Sequence, residues 1–180
     1  MSAADLGAHL APWHDFFITA GAASASLLGL LFVALTLNIE EVTDPEQPML
    51  LLLAEQSFSS WLTVLFLSLF ALVPSQQPAG FASELAIVAG LGLVRSSVNG
   101  VRVGRRGQLP WGWRHAVRRF AMPGLADIAL LVIAANVATG SWPDTVWLIL
   151  ATVLLVISAA EASWDLLARV GIERRARRDH

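Results

Sequence analysis

Five times along this chain, a run of about twenty residues passes with almost no charge in it. The runs cover residues 16–39, 49–73, 81–101, 120–139 and 145–168. A hydrocarbon core about 30 Å thick needs roughly 20 apolar residues in a helix rising about 1.5 Å per residue. In lipid every backbone N–H and C=O must be satisfied within the chain, which selects helices, and no alternating pattern points to a β-barrel. The expectation is therefore an all-α integral membrane bundle in one domain, residues 1–180, with five transmembrane helices. Four helices plus one re-entrant segment, residues 81–101, is the alternative, because that run carries Glu84 and Arg95.

Composition agrees with a bilayer as solvent. Hydrophobic residues make up 56% of the 180, and charged residues only 14%; soluble domains run at about 45–50% and about 25%. Cysteine is absent, and all 12 basic residues are arginine. Disulfides, cysteine-ligated metal centres and Schiff-base lysine chemistry are thereby excluded. The first run is too long for a signal-peptide core and no basic residue precedes it, so it reads as a retained span.

The arginines cluster in two places. Arg102, Arg105, Arg106, Arg114, Arg118 and Arg119 fall in the connection 102–119, and Arg169, Arg174, Arg175, Arg177 and Arg178 in the tail 169–180. The positive-inside rule puts both in the cytoplasm. Five crossings then put the N-terminus outside and the C-terminus inside, with the acidic loop Glu40, Glu41, Asp44 and Glu46 facing the arginines. Arginines beside a membrane meet anionic headgroups, at roughly 1 kcal/mol each near the surface. Arg102, Arg105, Arg106, Arg114, Arg118 and Arg119 are the expected anionic-lipid contacts. Trp111 and Trp113 among them fit the same interface, and no nucleic-acid partner is expected.

"WHDFFITAGAASASLLGLLFVALTLN", residues 13–38, resembles the opening helix of a group of small uncharacterised bacterial integral membrane proteins. Some of that group are labelled as modulators of a membrane-bound ATP-dependent protease. The resemblance implies a multi-pass bacterial inner-membrane protein and carries over no functional residue. Within the stretch, Gly21, Ala25 and Gly29 recur at every fourth position, the small-xxx-small pattern through which membrane helices approach closely. It would serve packing inside one subunit, a homo-oligomer seam or a membrane-protein partner. Ala82, Ala86 and Gly90 repeat the pattern.

Catalytic signatures are missing. His9, His14, His115 and His180 all fall outside the apolar runs, so no intramembrane Ser–His pair can assemble. "GLGLVR" places Arg95 where a dinucleotide loop needs its third glycine. The expectation is no enzyme, no cofactor and no metal. What remains is a layer of charge: Glu55, Arg95, Asp127 and Glu161 all lie roughly 9–11 Å in from the expected cytoplasmic ends of their runs. Asn99 and Asp165 lie one turn nearer those ends, on the faces of Arg95 and Glu161. Short Asp127 cannot reach the interface, so it is expected to pair with Arg95, leaving Glu55 and Glu161 either protonated or facing water, a cation or a subunit interface. A non-enzymatic interaction or regulatory protein leads; a small proton or cation channel or transporter using this layer is the alternative.

Overall fold

The computed structural model describes the backbone of all residues except 46, 107–111, 143 and 179–180, and the side chains of all but these and residues 103–106, 112–120 and 172–178. The described elements are helical: α1 (Ala3–Leu10), a 3₁₀ turn (Ala11–Trp13), α2 (His14–Leu37), α3 (Ile39–Val42), α4 (Pro48–Ala71), α5 (Pro78–Arg106), α6 (Gly112–Ala138) and α7 (Thr145–Arg178). Five helices are long and apolar enough to cross a membrane, and α5 is one of them. It runs unbroken for 29 residues, without the reversal a re-entrant segment needs.

Local sequence sets the ends. Ser2 and Asp5 form a capping box at α1, Asp5 N–H donating to Ser2 Oγ at 3.2 Å and Ser2 N–H to Asp5 Oδ2 at 2.8 Å. Pro48 opens α4, where its missing N–H costs nothing. Gly140 closes α6 with φ +82°: its N–H donates to Val137 O at 3.0 Å and that of Ser141 to Asn136 O at 2.9 Å, a Schellman ending.

The arginine-rich regions are more helical than their polarity implies. The expected loop 102–119 is largely the last turns of α5 and the first of α6, and the expected tail is the end of α7. Arginine, alanine and leucine are good helix formers, so a helix leaving the bilayer has no reason to stop at the surface. At about 1.5 Å per residue, the 34 residues of α7 span about 51 Å, well beyond a hydrocarbon core of about 30 Å.

Helices α4, α7, α6 and α5 close a ring in which each packs on its two neighbours, and α2 lies outside, against α4. Toward the α1 end the ring is filled by apolar side chains from all four helices, among them Val64, Phe81, Leu85, Leu130, Leu148 and Leu155. Toward the arginine-rich end the described apolar core shifts to α2, α3, α4 and α7, around Leu31, Val42, Leu53, Trp61, Ala159 and Leu166. The α5–α6 side of that half carries buried polar groups instead, Asn99 and Asp127. Outward faces are apolar: Leu30, Leu37, Leu91 and Val94 are each more than 60% exposed. That is the surface of a body whose solvent is lipid.

Candidate functional site

Asp127 is the most consequential placement. It sits on α6 with only 2% of its surface exposed, and Oδ1 has no hydrogen-bond partner among the described residues. Its carboxyl group occupies the space a side chain at Gly92 of α5 would take: a Cβ there would lie 2.5 Å from Oδ1 and 2.6 Å from Oδ2. Helices α5 and α6 pack extensively, and Gly92 lets the carboxylate tuck between them.

The carboxylate opens onto a cavity of about 20 Å³, the space of a single water molecule. Gln56, Ser60 and Thr63 of α4 face it, with Arg95, Ser96 and Asn99 of α5, Pro123 of α6 and Leu155 of α7 closing the rest. Gln56 is 6% and Asn99 3% exposed. Hydroxyls and amides therefore converge on one carboxylate within an otherwise apolar bundle, a setting in which an ionisable group is costly and its position informative.

The expected ion pair between Arg95 and Asp127 takes a different form. Both line this cavity, yet no ion pair within 4.0 Å joins them among the described residues. The two differ in exposure: Asp127 is buried between α5 and α6, whereas Arg95 is exposed. Arg95 also borders a second, larger space of about 650 Å³ between α2, α3, α4 and α5, whose wall includes Glu55. Asn99 lines both spaces. Glu161 is half-buried on α7 and lines neither. The four charged residues are thus divided: Asp127 and Arg95 at the small cavity, Arg95 and Glu55 at the large one, Glu161 apart.

The small-residue stripe divides as well. Gly21 is buried against α4, and a Cβ there would come within 3.1 Å of Ser68 Cβ. Ala25 and Gly29 are exposed, and nothing lies within 4 Å of a Cβ built at Gly29. The buried face of α2 is Phe17, Gly21, Ser24, Leu28 and Leu31. Arg102 is exposed near the end of α5; Arg105, Arg106, Arg114, Arg118 and Arg119 lie on the helical ends of α5 and α6, and their side chains fall outside those described, as does Glu46.

Two features escaped sequence reading. One is Gly92, whose meaning depends on its partner across the interface. The other is a hydroxyl network between α4 and α7: Ser163 Oγ donates to Ala159 O at 2.8 Å, lies 2.5 Å from Ser57 Oγ and accepts from Trp61 Nε1 at 3.2 Å. Trp61 lies in the middle of α4 and is buried, at 4% exposed. Its indole N–H needed a partner, and that requirement is the signal that could have found Ser163.

No protein-family model matches this chain. No curated protein and no solved structure matches it either.

Proposed function

We propose that this chain is a bacterial inner-membrane protein that performs no enzymatic chemistry and acts through helix contacts in the bilayer, with a second copy or a partner protein. The arginine bias supports an outside N-terminus and a cytoplasmic C-terminus, with the arginines of α5 and α6 against anionic lipid. The observation carrying this reading is the outer face of α2. This helix stands outside the ring and exposes Ala22, Ala25, Ser26 and Gly29 along one side. A smooth face of small residues allows close backbone approach, the main source of helix association where lipid is as apolar as leucine.

Because the chain has no cysteine, a single introduced thiol reports without background. Ala25→Cys should give a disulfide-linked dimer on oxidation in native membranes, or, when its thiol carries a photoactivated cross-linker, an adduct with a partner. Val132→Cys, on α6 and 55% exposed, should remain uncross-linked. Equal behaviour of the two would end the helix-contact reading.

The Asp127 cavity favours a second reading, transfer of protons or small cations. A buried carboxylate facing hydroxyl and amide groups is the arrangement from which intramembrane relays are built. In proteoliposomes Asp127→Asn should abolish any proton or sodium flux shown by the native protein. Absence of flux from the native protein removes this reading.

A further inference from the structure

The larger space at the arginine-rich end is a groove that neither reading uses. Helix α4 forms its floor through Ala54, Glu55 and Phe58; the end of α2 and α3 form one wall and α5 the other. On α5 the wall presents Arg95, Asn99 and Arg102 at helical spacing, flanked by Leu91 and Val98. From Leu91 to Arg102 is eleven residues, about 16 Å along the helix. That is about half of a hydrocarbon core of about 30 Å, the depth of one leaflet. At one end of this slot stands Arg102, among the interfacial arginines, and toward the other the lining is apolar. Two guanidiniums against one carboxylate, Glu55, leave the lining positive.

We infer that this groove between α2, α4 and α5 binds one anionic phospholipid from the leaflet beside the arginine-rich helix ends. An acyl chain lies along Leu91, Val98 and Phe58, and the phosphate is held at the mouth by Arg102, with Arg95 supplying the deeper positive charge. The planar guanidinium fits a phosphate through two parallel hydrogen bonds, which a zwitterionic lipid offers without net charge complementarity. The site deepens the general anionic-lipid contact proposed above: it predicts a single retained molecule in place of a diffuse surface preference.

The test uses the full-length protein in detergent, incubated with phosphatidylglycerol or with phosphatidylcholine of the same chains, and read by native mass spectrometry and melting temperature. One phosphatidylglycerol per chain should be retained and should raise the melting temperature, whereas phosphatidylcholine should do neither. Arg102→Gln should weaken retention about tenfold, the scale of one lost charge-assisted contact. Val98→Trp, placed on a residue 42% exposed and so outside the core, should fill the slot and abolish retention while the protein stays folded. Replacing Arg114, Arg118 and Arg119 together by Gln should lower binding to phosphatidylglycerol vesicles and leave the retained molecule in place. Failure of only that last control corrects the general surface reading. Equal retention of the two lipids, or retention unchanged in both Arg102→Gln and Val98→Trp, overturns the site. A lipid-free dimer that Val98→Trp dissociates would assign the groove to a second copy and overturn it equally.

Discussion

A methyl group at Gly92 has nowhere to go while Asp127 holds its position, since both carboxylate oxygens lie within 2.6 Å of it. Gly92→Ala must therefore push a 2% exposed carboxylate aside or part α5 from α6. The expected cost is about 1–3 kcal/mol, as for other overpacked sites. Asp127→Ala removes the obstruction, so the double variant should lose less stability than the two single changes together. Unfolding titrations in detergent measure this, and strict additivity would mean the two residues do not share the space. At this scale the sequence was half legible. Asp127 stood out because it is short, ionisable and deep in an apolar run. Gly92 did not, being one of 13 glycines whose meaning lies on the opposite helix. Depth follows from counting residues, but azimuth depends on which neighbour a helix meets. Arg95 and Asp127 therefore line one cavity without forming the ion pair expected of them.

Helix α2 carries the same lesson on a longer element. Residues four apart advance about 40° around a helix of 3.6 residues per turn. A stripe of strict fourth positions therefore rotates by about 80° between Gly21 and Gly29. The buried face alternates steps of four and three, through Phe17, Gly21, Ser24, Leu28 and Leu31, and so stays on α4. Gly21→Leu should destabilise the single chain by about 1–3 kcal/mol, because its side chain must displace Ser68. A Cβ at Gly29 has nothing within 4 Å, so Gly29→Leu should not lower thermal stability while weakening self- or partner association. Thermal melts and cross-linking yields separate the two effects. Loss of monomer stability in both would mean that the outer face of α2 has no partner of its own. The ends of α5, α6 and α7 were misread for a different reason: arginine-rich segments look like loops by polarity, although their propensity is helical.

Across the whole molecule, five apolar runs became five long helices because lipid leaves the backbone no alternative. Their ring order was not legible, since similar apolar faces give no sequence record of which meets which. Orientation can be measured directly. A periplasm-active reporter at the N-terminus and a cytoplasm-active reporter at the C-terminus should both be active; the reverse would invert the assignment drawn from the arginines.

One feature of the α1 end bears on how such a chain is made. Leu6 and Leu10 of α1 belong to the same apolar cluster as Val137 and Leu148. The ring of His9 stacks on Trp142 at 5.4 Å, and Thr145 Oγ1 donates to His9 O at 3.3 Å. Helix α1 thus has its seat at the turn between α6 and α7. Until that hairpin is inserted, α1 lacks the part of its seat that Trp142 and Thr145 supply. More than a hundred residues separate Leu10 from Trp142, so this long-range contact forms only after the intervening chain has been synthesised.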